Sequence, residues 1–386
     1  MTTISEQQAA RQSLAAGAAA TALVHIERAL NGSADWGSAH THIRQATTGR
    51  IDAAPHAGLF YGAPAIAFVL HAAAAGPDPR YQAAARSLDQ HIARLVARRV
   101  ATARERIRRR EFAHFAEYDV VRGLAGIGAL LLRTAPASDA LADVLAYVVQ
   151  VTKPRRLQGE QLPGWWVAHD PDPLKPTPGG HANLGLAHGA AGLLALLSLA
   201  ALRGCTVAGQ VEAIERLTAW FYRWQQHSPD GAWWPHWLTR EELRTGRVTQ
   251  PGPWRPSWCY GTAGIARALQ LAAIAVRDPA LAAAAEQALA ACLTGNQFAR
   301  ITEPGICHGI AGLYQTAYRA SLDAQTQAIR RELPRLAALL ADHAAALQPD
   351  DQGGLLNGPA GVGLALETAR QLTPPLSGWD ACLLIA

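Results

Sequence analysis

Charge is scarce in this 386-residue sequence: Asp, Glu, Lys and Arg make up 17% of it, against 49% hydrophobic residues. That balance excludes a disordered chain, which cannot bury enough apolar surface to offset the entropy of ordering. Ile, Phe and Tyr are also few, while Ala dominates with Leu behind it. Such a composition favours helices packed closely through small side chains. A strand pattern of any length is lacking, and so is an interdomain linker, so a single domain over residues 1–386 is expected. No apolar run has the length and purity of a membrane span. The stretch from Leu184 to Leu202 comes closest, but His188 and several glycines interrupt it. The N-terminus carries Thr, Glu and Gln before Ala instead of a basic-then-apolar signal pattern, which makes a cytoplasmic protein the expectation. Five cysteines are an odd number, and in a long chain without a signal they argue against a disulfide framework. Cys205, Cys292 and Cys382 read as small core residues in apolar helical settings. The formal net charge of +5 suits an acidic partner without specifying one.

What is present is a short recurring phrase. Its copies are Arg122-Gly123-Leu124-Ala125-Gly126, His188-Gly189-Ala190-Ala191-Gly192, Tyr260-Gly261-Thr262-Ala263-Gly264, His308-Gly309-Ile310-Ala311-Gly312 and Asn357-Gly358-Pro359-Ala360-Gly361. Tyr61-Gly62-Ala63-Pro64-Ala65 is a degenerate copy. First glycines are separated by 61, 66, 72, 48 and 49 residues, about one helical hairpin plus variable loops per period. Each copy opens a run that is apolar on all sides and must be buried on all sides. Amphipathic stretches follow, near Tyr81–Arg104, Ser138–Val151, Val207–Gln226, Pro279–Leu293 and Ala324–Leu347. Residues 5–31 also have helical periodicity, and 31–55 is turn-rich. Buried helices inside and amphipathic helices outside describe an all-α, α/α toroid of six to seven helical hairpins. In it the paired glycines let neighbouring helix starts approach where the ring is narrowest.

Nine of the eleven tryptophans lie between Trp165 and Trp258, seven of them in two long loops, 152–187 and 226–258. These either pack the loops down or line a groove for a peptide. The arginine run Arg104–Arg110 reads as a solvated outer-helix face and its exit, or as a holder for an acidic peptide. No nucleic-acid module accompanies it.

In a ring of this kind, equivalent slots of different copies meet at the mouth. Cys259 and Cys307 share the slot two residues before the first glycine, and His188 and His308 share the next. Two cysteines and a histidine there make a plausible zinc site with one coordination position open, the catalytic pattern. Asp119 and Arg255, each four residues before a phrase residue or cysteine, add a carboxylate and a cation.

Asp119 to Gly126, Asn183 to Gly189, Arg255 to Gly261, Cys307-His308-Gly309 and the ending Ser377-Gly378-Trp379-Asp380 follow one another along the chain. In this order they strongly resemble the LanC family of lanthipeptide cyclases, over almost the whole chain. The resemblance implies a toroid of up to seven hairpins, Zn2+ bound by Cys259, Cys307 and His308, acid–base work by His188 and Asp119, and Arg255 near the metal. It implies addition of peptide cysteine thiols to dehydroalanine or dehydrobutyrine, forming thioether rings. The expected partners are a dehydrated precursor peptide, leader plus core, and a lanthipeptide dehydratase, with assembly into a membrane-associated biosynthetic complex. The family's β-rich insertion near the second repeat has no room here. The main alternative is a non-catalytic relative that binds zinc and peptides or thiols.

Overall fold

The computed structural model describes residues 4–157, 159–172, 174–347 and 354–386. Its helices, in chain order, are α1 Glu6–Arg11, α2 Ala18–Leu30, α3 Trp36–Thr47, α4 Ala63–Ala73, α5 Gln82–Arg108, α6 Phe115–Tyr118, α7 Leu124–Thr134, α8 Asp139–Val151, α9 Ala190–Leu202, α10 Gln210–Trp224, α11 Arg240–Thr245, α12 Thr262–Val276, α13 Pro279–Cys292, α14 Gly295–Phe298, α15 Ile310–Asp323, α16 Ala328–Ala345 and α17 Pro359–Gln371. Each phrase caps an inner helix: the first glycine is the N-cap of α4, α7, α9, α12, α15 or α17.

Seven helices, α2, α4, α7, α9, α12, α15 and α17, pack in that order, and α17 returns to α2 to close the ring. Six others, α3, α5, α8, α10, α13 and α16, each pack on the inner helix they follow. The fold is the α/α toroid expected from the sequence. None of the described helices is long and apolar enough to cross a membrane.

The inner helix that no phrase marks is α2, with α3 as its outer partner, so the ring holds six hairpins and a seventh inner helix, α17. Gly17 caps α2, and Ala20 stands where a second glycine would be, as Ala65 does in the copy at Gly62. The expected helix over 5–31 is therefore two, broken at 12–17, where the Gln12 amide donates to Arg50 O (2.7 Å) and accepts from Asp52 N–H (2.9 Å). α3 falls in the stretch read as turns because it buries only Ala39, Ile43 and Ala46.

Strands are a further correction. Both long loops carry them: β1 Arg155–Leu157 pairs with β2 Glu160–Leu162, β4 Gln226–Ser228 with β5 Gly231–Trp233, and β3 His181–Asn183 with β6 Trp237–Thr239. Three residues are too few for alternation to register in a sequence. The β3–β6 pair joins the two loops. Most of the tryptophans pack them down, Trp165, Trp166, Trp224, Trp233, Trp234 and Trp258 being buried. Trp254 is 46% exposed, with the Lys175 ammonium 4.3 Å above its ring. Cys205 lies in the turn after α9, outside any helix.

The glycines act first within their own turn. A Cβ added to Gly126, Gly192, Gly264, Gly312 or Gly361 would lie 1.9, 2.4, 2.0, 1.8 or 2.0 Å from the carbonyl oxygen six residues earlier. The chain folds back onto each helix start so tightly that only hydrogen fits. Contact with the neighbouring repeat is secondary, as at Gly264, where the Leu186 Cβ would lie 3.3 Å away.

These turns hand backbone hydrogen bonds around the mouth. The N–H of Leu14 donates to Phe60 O (3.0 Å), Phe60 to Val121 (3.4 Å), Val120 to Ala187 (3.0 Å), Ala187 to Cys259 (3.2 Å), Cys259 to Cys307 (3.2 Å), Cys307 to Leu356 (2.8 Å) and Leu355 to Leu14 (2.9 Å). The circuit is complete and runs in one direction. Every member lies two or three residues before an N-cap glycine.

The join between α17 and α2 carries extra polar contacts. Arg28 Nε meets Glu367 Oε1 at 2.9 Å. The buried Glu27 carboxylate accepts the N–H groups of Leu376 (3.0 Å) and Ser377 (2.8 Å). The chain then enters a 3-10 helix, Trp379–Leu383, and the Leu383 and Ile385 carbonyls accept from Trp258 Nε1 (2.9 Å) and Arg267 Nε (3.0 Å).

Replacing a helical glycine by alanine ordinarily stabilises by up to about 1 kcal/mol. Gly264→Ala should do the opposite, costing roughly 1–3 kcal/mol or more through overpacking. Gly363→Ala in α17, where the nearest atom is 3.5 Å away, should be neutral or stabilising. Thermal or denaturant unfolding of both variants checks the contrast.

Candidate active site

The hydrogen-bond circuit decides which side chains meet. Cys259 and Cys307 are neighbours in it, so their side chains leave adjacent turns together, and His308 follows at once. One donor atom from each of these three residues lies within 4.8 Å of the others. No other group of three such side chains gathers this closely among the described residues.

The hydrogen bond with Cys307 holds the Cys259 thiol well below the ordinary range, against its own burial, with His308 and Ser257 Oγ (3.6 Å) adding to the effect. The same bond, together with burial, pushes Cys307 up. Its bond to Cys259 raises His308. Both cysteines stand just ahead of helix N-termini, which favour negative charge. Two soft sulfur donors plus an imidazole fit a zinc ion.

His308 Nε2 is engaged by Glu303 Oε2 at 2.6 Å, which leaves Nδ1 for the sulfur side. The other Glu303 oxygen accepts from Arg255 Nη1 at 2.7 Å. Arg255 therefore reaches the cysteine cluster through Glu303 and His308. The sequence pattern did not single out Glu303.

The next circuit members toward α7 bring in a second pair. Val120 donates to Ala187, so Asp119 and His188, one residue beyond each, come together, with His188 Nδ1 2.6 Å from Asp119 Oδ2. Asp119 Oδ1 accepts the backbone N–H groups of Arg122 (2.6 Å) and Gly123 (2.7 Å). Asp119 is buried, whereas the His188 side chain is 29% exposed. With Nδ1 occupied, Nε2 is the ring atom able to exchange a proton. Ala187 donates to Cys259, and the Tyr260 ring lies 6.0 Å from that of His188, so the pair adjoins the cysteine cluster.

Other residues that hold this pair escaped the sequence reading. The Phe115 ring stacks on His188 at 5.1 Å, and its carbonyl accepts Asp119 N–H at 2.9 Å. Phe115 sits in α6, which is pinned from outside. Glu117 takes a two-pronged ion pair from the buried Arg106 (2.7 Å to each oxygen) and a hydrogen bond from Tyr147 (2.6 Å). Arg99 donates to the carbonyls of Ala116 and Arg122. The arginine run is thus only partly a solvated face, since Arg106 buries its charge to fix α6. The copies at Gly62 and Gly358 contribute nothing to these two clusters.

Comparison with known proteins bears on the family and the fold. Residues 8–384 match the family model described as lanthionine synthetase C-like protein. The nisin biosynthesis protein NisC of Lactococcus lactis subsp. lactis is 25% identical over 206 residues. That alignment takes in 52% of this chain and 48% of the relative, so the chain spans about half the length of the curated relative it matches. The solved structure of nisin cyclase has the same fold, with a TM-score of 0.81 over 97% of this chain and 92% of that one, at 20% identity.

Around the mouth, burial makes histidines pH-sensitive. His181, fully buried with Nε2 unpartnered, is pushed from 6.5 down to about 4 by burial, and His236 goes down to about 4 for the same first cause. The unfolded chain takes up these protons near pH 6.5, but the folded chain does so only near pH 4. The contribution of these two groups to stability is therefore complete above pH 6.5 and lost as pH falls toward 4, with His181 accounting for up to about 3 kcal/mol. Denaturant midpoints at pH 7 and pH 4.5 should show this slope, and His181→Gln should flatten it.

Proposed function

The chain belongs to the lanthionine synthetase C-like family, and from that premise we propose that it is a zinc-dependent lanthipeptide cyclase. The observation that carries the reading is the Cys259–Cys307–His308 cluster standing beside the Asp119–His188 pair on one arc of the mouth. The substrate is a precursor peptide, leader plus core, in which an upstream dehydratase has converted Ser or Thr to dehydroalanine or dehydrobutyrine. The name of the relative from Lactococcus lactis, a nisin biosynthesis protein, supports a peptide substrate of this class.

Cys259, Cys307 and His308 would hold the zinc, with Glu303 and Arg255 orienting His308 from behind. Bound there, zinc supplies a Lewis acid with one open position, making a peptide cysteine thiol nucleophilic at neutral pH. In the overall step the thiol gives up its proton, sulfur bonds to the β-carbon, and the double-bond electrons pass into an enolate. A proton then ends on the α-carbon, so the product is an isomer of the substrate.

His188 is the acid for that last transfer, from Nε2. Asp119 orients it: both carboxylate oxygens are already engaged, one by His188 and one by two backbone N–H groups. Phe115 holds the imidazole plane by stacking. Arg255 acts through the Glu303 carboxylate it pairs with, steadying His308.

Cys259→Ala and Cys307→Ala should lose zinc and ring formation together, read by metal analysis and by mass-spectrometric counting of free thiols on a dehydrated peptide. His188→Ala should keep its zinc and slow cyclisation by about 10²–10⁴-fold. A zinc-free Cys307→Ala protein that closed rings at the wild-type rate would sink the proposal. Zinc binding with no ring formation on any dehydrated peptide would favour a non-catalytic peptide- or thiol-binding relative.

A further inference from the structure

Two cavities flank the β1–β2 hairpin, and no residue of the site above lines either. One, of about 400 Å³, lies between the hairpin and α10, with walls that include Trp165, Trp220 and Leu243 and with Arg216 and Arg223 among its lining. The other, of about 370 Å³, lies between the hairpin and the end of α5 and is lined by Ile107, Arg108, Arg110, Arg155 and Arg156. Six arginines thus line the pair of cavities, two in the first and four in the second, and no Asp or Glu does.

Much of this charge is uncompensated. Arg155 spends its donors on the carbonyls of Ile107 (2.7 Å) and Glu111 (3.4 Å), and Arg216 on Thr152 Oγ1 (2.8 Å); these acceptors are neutral. Arg110, Arg156 and Arg223 are exposed. An apolar cavity with aromatic walls, set in a cationic rim, is complementary to a chain carrying carboxylates and a large apolar side chain.

We propose that this face docks an acidic segment of the peptide substrate, outside the part that forms rings, with one Leu-like or aromatic side chain in the cavity beside Trp220. The proposal rests on the peptide substrate inferred above. Its placement has a mechanical logic. Arg155, on the hairpin, donates to the carbonyl of Glu111, four residues before Phe115, whose ring stacks on His188, so a segment held here tethers its own downstream residues near the mouth. Tethering raises their effective concentration without adding any contact at the site.

The test uses zinc-loaded full chain and a fluorescein-labelled peptide of alternating Glu and Leu, followed by anisotropy. Affinity should fall at least tenfold in the double variant Arg156→Glu/Arg223→Glu, in Trp220→Ala, and when Gln replaces Glu in the probe. It should also weaken between 50 and 300 mM salt. Circular dichroism checks folding, and the exposed double variant keeps the test decisive if Trp220→Ala fails to fold. Unchanged affinity in the double variant overturns the proposal. So does tighter binding of a single-stranded oligonucleotide lost in that same variant, which would make this a nucleic-acid surface. Ring formation on a short dehydrated peptide without the acidic segment separates the two readings. If the wild type binds the probe through these residues but closes no ring, docking stands and the cyclase reading falls. If short peptides cyclise but the double variant binds like wild type, the reverse holds.

Discussion

Seven backbone hydrogen bonds, one between each pair of neighbouring turns, fix the mouth of the ring. Each is worth only about 1 kcal/mol net, but a buried partner left unmade costs about 1–3 kcal/mol. The circuit therefore acts as a register. It forces every pre-helix turn to stand at one height and to present the same positions inward. The paired glycines follow from it, because a chain that must reach its neighbour and still start a helix has no space for a Cβ against its own carbonyl.

Chemistry is distributed along this register by substitution at equivalent positions. The site needs no dedicated scaffold. Asp119, His188, Cys259, Cys307 and His308 are each a circuit member or its immediate neighbour. Sulfur and imidazole are brought together by the same bonds that hold the turns. The remaining turns, at Leu14, Phe60 and Leu355–Leu356, place apolar side chains at the circuit positions themselves and contribute to neither cluster. Support comes from the outer layer, where α5 and α8 supply Arg99, Arg106 and Tyr147 to hold α6 and so steady Phe115 and Asp119.

What the sequence disclosed and what it hid divide along the same line. Constraints that act locally leave a periodic trace: the glycine spacing marked six of the seven inner helices, and Cys259 and Cys307 stood out because they fill one slot in consecutive copies. Roles created by distant pairing leave none. Phe115 matters through His188, Glu303 through both Arg255 and His308, and Arg106 through Glu117, and nothing in the local sequence announces those partners. The copy at Gly17 went unread because Ala20 replaces the second glycine in an already Ala-rich stretch. α3 presents too narrow an apolar face to register, and three-residue strands are shorter than any recognisable alternation.

Six of the seven neighbouring inner helices are linked by consecutive chain, through an outer helix that returns to the next start. Only α17 and α2 meet without that covalent link, held by Leu355–Leu14, Arg28–Glu367 and the two N–H groups on Glu27. The toroid is in effect a split washer whose cut is clasped by polar side chains. The cut is the one junction that can part without straining a covalent link, and it falls on the arc of Leu14 and Leu355. His188, at the start of α9, stands across from it, three inner helices from the cut on either side and within the covalently continuous part of the ring.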